Sequence, residues 1–283
     1  MSKLGQTIKA GIATGLCALG PCGLERKYKF SRRLAQMVRS IETSQFPGTG
    51  LYAFTTSKFL RPLYASIAEE ILSAGHYNRI LALGTGLGYL PTEITLRDPS
   101  IQVFGIDELP DAVKVAEANA NVNKAGKSIH FSEGESANLP YPGRYFDLVV
   151  SANMLNHWAN PKEVFAAVNH VLVPGGAFWL CDYRENIPAE TWESLRAKLP
   201  IRCRVPFAVG LMASAMEAYS EADLLEMAGD ARFEVEVMEQ RTYTLLGQPM
   251  PLFNMLKLSK PIAFGEHDGS EQIIEPSSTE DVS

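Results

Sequence analysis

Apolar and polar positions in this 283-residue chain alternate between two patterns through its middle. Short apolar runs at 79–83, 101–106, 128–131, 146–151 and 177–182 have the length and composition of buried strands. Between them, 89–97, 110–122 and 161–172 carry apolar residues at helical spacing. Upstream, 57–74 reads as a further helix that stops at Gly75. Strands alternating with helices predict a parallel sheet covered on both faces, with ligands at the carboxyl ends of its strands. Two last strands, 233–241 and 252–258, have no helix between them and predict an antiparallel hairpin. The fold class is therefore α/β, a doubly wound seven-stranded sheet that is mostly parallel and closes on a C-terminal hairpin.

Residues 184–228 break this alternation. They read as two helices, 192–199 and 206–217, the second rich in small and soft groups that include Met212 and Met216. Such a surface adapts to an apolar ligand or fills ordinary core. Residues 24–43 form an amphipathic pattern, with Leu24, Tyr28, Leu34, Met37, Val38 and Ile41 near one face. From residue 266 onward apolar periodicity is absent, and disorder is expected. The chain thus divides into a basic arm and helix (1–45), a core (46–183), a helical cap (184–228), a closing hairpin (229–260) and an acidic tail (261–283).

The first strand runs into Gly84-Thr85-Gly86-Leu87-Gly88, where glycines allow positive φ and let a ligand lie on the main chain. The helix that follows points its free N–H groups back at that ligand. A dinucleotide fingerprint needs a third small residue at 89, where this chain has Tyr89, and no phosphate-cradling G-x-x-x-x-G-K-[ST] is present. The second strand ends in Asp107, 19 residues past Gly88, where a carboxylate can accept two hydrogen bonds from a ribose. The plainer role for Asp107 is to cap the helix that follows.

The G-x-G-x-G turn resembles motif I of class I S-adenosylmethionine-dependent methyltransferases. Further blocks follow in that family's order: Gly134-Glu135-Ser136-Ala137-Asn138-Leu139-Pro140-Tyr141, then Phe146-Asp147-Leu148-Val149, then Leu172-Val173-Pro174-Gly175-Gly176. They are similar to the family's G-D-A-x-x-L-P-F, F-D-x-V and L-x-P-G-G blocks, and the resemblance runs from about residue 80 to 182. It implies a Rossmann-like fold and S-adenosyl-L-methionine as cofactor. The cofactor contacts it implies are Gly84, Thr85, Gly86, Gly88, Asp107, Glu108, Glu135, Ser136 and Ser151. Two positions depart from the family pattern: Ala82 stands where an acid usually precedes the glycines, and Glu135 where Asp is more frequent.

Methyl transfer from a sulfonium needs alignment and desolvation, and a general base only when the acceptor must lose a proton. The base candidates lie after the fourth and fifth strands: His157, and the Asp182-Tyr183-Arg184 segment. His157 has a near-neutral reference pKa and otherwise bonds a loop structurally. Tyr183 would orient a substrate hydroxyl, and Arg184 a carboxylate or phosphate. Tyr52, Arg184 and Met212 complete the expected substrate side, with Phe54 and Tyr64 as further pocket or core aromatics. The expected acceptor is a small, partly apolar molecule. A non-catalytic scaffold of the same fold and an NAD-dependent oxidoreductase are the alternatives.

Charge narrows the partners. Residues 1–45 carry eight Lys/Arg against two Asp/Glu, while 261–283 carry six acids and no Lys/Arg. The stretch between is acidic, which argues against a nucleic-acid enzyme. The basic arm leaves two readings for residues 8–43, a helix packed on the domain or a peripheral membrane contact. Cys17, Cys22, Cys181 and Cys203 form no C-x-x-C pair, so a reduced, cytoplasmic setting and no metal are expected. Oligomeric state is not encoded in any of these features.

Overall fold

The computed structural model describes residues 60–184, 187–198, 218–245 and 248–262. The arm and helix of 1–45, Tyr52 and Phe54, the 206–217 helix with Met212, and the tail from residue 263 lie outside the described residues. The elements in order are α1 (Arg61–Ala74), β1 (Arg79–Leu83), α2 (Tyr89–Arg97), β2 (Gln102–Asp107), α3 (Pro110–Val122) and β3 (Ile129–Glu133). Then follow β4 (Phe146–Ala152), a 3-10 turn (Leu155–His157), α4 (Pro161–Val171), β5 (Leu172–Tyr183) and α5 (Ala189–Lys198). The chain continues through α6 (Glu221–Asp230), β6 (Glu234–Leu245) and β7 (Gln248–Ser259). Proline in the first turn of α1, α3 and α4 supplies the helical φ where a missing N–H costs nothing.

One seven-stranded sheet has the order β3-β2-β1-β4-β5-β7-β6. β1 through β5 pair in parallel, and β7 lies antiparallel between β5 and β6. The chain reverses its winding between β1 and β4, so their carboxyl ends open into a crevice. Side chains alternate between two buried faces. Ile80 and Ala82 join Val103, Val150, Trp179 and Cys181 under α1 and α2, while Leu81 and Leu83 join Val149, Phe178 and Leu180 under α4 and α6. Burial on both faces explains why the strands read as continuous apolar runs.

α1 is fixed by charge as well as by packing. Glu93, nearly buried on α2, accepts from Arg61 at 2.9 Å and pairs with Arg97, and these cations hold its pKa below the usual value against burial. Glu70 pairs with Arg241 (2.7 Å) on β6 and Lys257 (2.9 Å) on β7.

Three features differ most from the sequence reading. β5 begins at Leu172, which pairs with Phe146, and the Pro174-Gly175-Gly176 stretch is taken up as an irregularity before Ala177 pairs with Leu148. The hairpin strands are longer than expected, because Pro249 sits at a paired position and the register shift between Arg241 and Tyr243 accommodates Pro251. α6, most of which fell inside the expected cap, is a core helix instead. Leu224, Met227 and Ala228 are buried with Phe165, Phe178 and Phe233. Its start is a capping box: the Ser220 hydroxyl accepts from Asp223 N–H at 3.2 Å, and the Asp223 carboxylate accepts from Ser220 N–H. Ser220→Ala is expected to lower unfolding free energy by about 1 kcal/mol, read from the midpoint of urea denaturation.

Among the described residues no helix is long and apolar enough to cross a membrane, and no three His, Cys, Asp or Glu side chains cluster to hold a metal.

Candidate functional site

The residues singled out for the cofactor converge on the carboxyl ends of β1, β2, β3 and β4. Thr85 donates its N–H to the Ile106 carbonyl (3.0 Å), which ties the glycine turn to β2. Gly86 donates its N–H to Asp107 Oδ2 at 2.8 Å, and Leu109 donates to Oδ1 at 3.0 Å. Asp107 therefore fixes both the turn and the Leu109 N–H ahead of α3, whose N-cap is Leu109 with no side-chain cap, so the capping role does not fall to Asp107. Each carboxylate oxygen keeps a lone pair beyond these bonds, as two vicinal hydroxyls would need. Asp107 is 7% exposed. Burial lifts its pKa above the ordinary carboxylate value, against the pull of the two N–H bonds.

The glycines are required in two different ways. Gly84 has φ +62°, and a Cβ there would collide with the side chain of Met154. Gly88 has φ +75°, and its Cβ would lie 2.9 Å from the Ala116 Cα, so α3 could not pack against the start of α2. The cradle is thus sterically closed to side chains, and Met154 lies over it. Nothing in the sequence pattern marked Met154, because the contact joins two loops about 70 residues apart.

The other blocks dock beside this turn. Gly134 donates its N–H to the Asp107 carbonyl (3.0 Å), setting Glu135 and Ser136 next to β2. Ser136 is buried, whereas Glu135 and Glu108 are exposed. Ser151, opposite Leu83 in register, is fully buried. Its hydroxyl, the Thr85 hydroxyl and the Asn153 side-chain oxygen are buried without a hydrogen-bond partner among the described residues. Asn153 also holds a left-handed backbone, φ +60°. Thr85 turns toward Gly105 and Phe131 on the α1–α2 side, and Ser151, in register with Leu83, lies on the α4–α6 side, so these orphaned atoms flank the carboxyl end of the sheet on both faces.

The acceptor-side residues separate. His157 is exposed at the end of the 3-10 turn, with its N–H bonded to the Met154 carbonyl at 2.8 Å. Tyr183, expected to orient a substrate hydroxyl, is buried, and its ring stacks on Phe253 at 4.7 Å within the α1-side core. Packing is therefore the role its ring shows. Arg184 donates its N–H to the Leu252 carbonyl (2.9 Å), which extends the β5–β7 ladder. Tyr64 lies 6.4 Å from Tyr89 in a stacked pair between α1 and α2. Cys181 is buried, and burial drives its thiol pKa far upward, so it is not a nucleophile. Asp147 of the Phe-Asp block sits at the opposite end of the sheet, where it accepts from the N–H groups of Asn78 and Arg79, both at 2.7 Å.

Ala82 is 2% exposed in β1 between Gly105 and Val150. It continues the apolar core where the family resemblance would place an acid. The turn, Asp107, Ser136 and Ser151 nevertheless suit a nucleoside: a backbone cradle, a carboxylate for a ribose and buried hydroxyls for the remainder.

Comparison with known proteins agrees with this geometry. The sequence profile described as a methyltransferase domain matches residues 76–231, more than half of the chain. A demethylmenaquinone methyltransferase of Deinococcus radiodurans is 32% identical over 119 residues, 42% of this chain and 48% of that protein. The enzyme of the same description from Thermus thermophilus is 28% identical over 50% of this chain and 62% of its own length. The chain thus spans less than two thirds of these relatives. A SAM-dependent methyltransferase from Aquifex aeolicus superposes with a TM-score of 0.53 at 17% identity, covering 81% of this chain and 98% of that one. The chain belongs to the methyltransferase domain family.

Proposed function

We propose that this protein transfers a methyl group from S-adenosylmethionine to a small, partly apolar acceptor, with an isoprenoid quinol the leading class. The observation that carries the cofactor half is Asp107, which grips the glycine turn through Gly86 and retains lone pairs for a ribose. The acceptor half rests on the description of the relatives as demethylmenaquinone methyltransferases. The apolar surface of Met154 above the turn suits such a ring.

When bound, the cofactor supplies a methyl group already activated by positive sulfur. The chain's own residues then have three tasks. The turn and Asp107 would hold the nucleoside, Met154 over Gly84 would screen the turn from water, and His157 would take a proton from an acceptor that has one to lose. Ala82 provides no charge where the family resemblance would place an acid. The same residue is the observation that favours a second reading, a binding module that keeps the fold without turnover.

Calorimetric titration with S-adenosylmethionine, S-adenosylhomocysteine and NADH separates these readings. Micromolar binding of the first two and none of NADH is expected. Incubation with methyl-labelled cofactor and a reduced demethylated naphthoquinone should then give a labelled quinol. Binding without transfer to any small acceptor would favour the binding module, and NADH binding would overturn both.

A further inference from the structure

We infer that Asp182 is a positioning residue that holds the β4–α4 loop, and with it Met154 and His157, across the glycine turn. The inference rests on the reading of that turn as the cofactor site. Asp182 lies near the end of β5, and its Oδ2 accepts from the N–H groups of both Met154 (2.8 Å) and Leu155 (2.7 Å). Its Oδ1 accepts from the Tyr183 N–H at 2.9 Å. One residue earlier in β5, Cys181 accepts from the Asn153 N–H through its carbonyl at 2.8 Å. Consecutive residues of the loop are thus stitched to consecutive residues of β5. The left-handed turn at Asn153 then directs the next side chain, that of Met154, onto Gly84.

The placement is costly. A carboxylate 7% exposed within the sheet is met by three N–H groups and by no cation among the described residues. Burial pushes its pKa up to about 6, against those three bonds. An apolar residue would give a better core, but it could not accept two successive loop N–H groups. The groups around it are few. Cys181 and Tyr183 flank it in β5 and turn to the other face, where Tyr243, Arg241 and Glu70 lie beyond Cys181. His157 closes the loop, and Asn254 stands directly opposite in β7. The Asn254 side-chain oxygen is buried without a partner, so a protonated Asp182 has an acceptor to turn toward. Protonation therefore removes the charge that strengthens the two bonds to the loop. Ionised Asp182, above about pH 6, is the form that holds it.

The test measures S-adenosylhomocysteine affinity from pH 5 to 8 in wild type and Asp182→Asn, together with amide exchange at Met154 and Leu155. In wild type, affinity should fall as pH drops through about 6. Asp182→Asn should bind roughly tenfold more weakly at pH 7.5. Its affinity should vary less with pH, the remaining variation falling to Asp107 with its raised pKa, and both amides should exchange faster. Wild-type affinity, pH profile and exchange in Asp182→Asn would overturn the inference. If wild type binds no S-adenosylhomocysteine at any pH, the cofactor reading fails. Amide exchange still decides whether Asp182 holds the loop: faster exchange in Asp182→Asn supports the anchor, and unchanged exchange removes it.

Discussion

Asp107→Ala is expected to weaken S-adenosylhomocysteine binding by ~1.5–3 kcal/mol, about 10- to 150-fold, in calorimetric titration. Two losses add. The ribose loses its carboxylate acceptor, and the Gly86 N–H, held at 2.8 Å by Asp107 Oδ2, becomes a buried donor without a partner. Because the turn is also tied to β2 through Thr85 and Ile106, it should persist in a looser form rather than unfold. Asp107→Asn separates the losses, since one oxygen remains for Gly86 or Leu109 while the charge is gone. It should fall between wild type and Asp107→Ala. Thermal stability should respond differently. The pKa of Asp107 is raised on folding, so the folded state holds its proton more tightly than the unfolded chain does. Its contribution is fully present below the unfolded carboxylate range and is lost as pH rises through the folded pKa. At neutral pH the alanine variant therefore escapes a buried charge, which offsets part of the lost bonding. Affinity rather than melting is the diagnostic. Unchanged affinity would remove Asp107 from the cofactor site.

What the sequence made legible follows the range of the physics. The boundaries of α2 and α3, Tyr89–Arg97 and Pro110–Val122, agree with the sequence reading because local signals set them: a glycine turn before one and a first-turn proline in the other. The glycine turn and Asp107 were legible for the same reason. Each is a short motif at a strand end, and the fold carries strand ends to one edge. The start of β5 and the ends of the hairpin were obscured by residues that normally stop strands, Pro174, Pro249 and Pro251, which bulges and register shifts absorb. α6 is hidden in the sequence because 184–228 departs from the alternation of strand and helix. The Ser220-x-x-Asp223 box ahead of Leu224, Met227 and Ala228 was the signal available.

Tyr183 and Asp182 show where strand parity would have helped. Trp179, Cys181 and Tyr183 share the face under α1, so Tyr183 belongs with Phe253 and Tyr243, and Asp182 alone of the pair turns to the face shared with Phe178 and Leu180. Whether that turned carboxylate acts as base or anchor depends on which groups it meets. Its bonds to Met154 and Leu155 span 28 and 27 residues, a distance over which no local pattern speaks. The site is therefore half local motif and half tertiary stitching, and only the first half is written in spacing.

The face that carries Asp182 also carries the largest expected effect on stability. Phe178→Ala should lower unfolding free energy by about 3–5 kcal/mol. Phe178 is fully buried, with its ring 5.3 Å from Phe165 of α4 and 6.0 Å from Phe233, which leads from α6 into β6. Removing it opens a cavity at the junction of sheet, α4 and α6, where rigid aromatic neighbours resist collapse. The stitched end of β5 lies four residues further on, roughly 13 Å along the strand. Cofactor affinity, measured well below the melting midpoint, should therefore stay within about threefold of wild type. Denaturant unfolding followed by tryptophan fluorescence measures the first quantity and calorimetry the second. A loss under about 1 kcal/mol would show that α6 is not part of the cooperative core and would return it to the cap. A large loss of affinity with the stability loss would show that the α4–α6 face and the crevice respond as one unit, with β5 as the link between them.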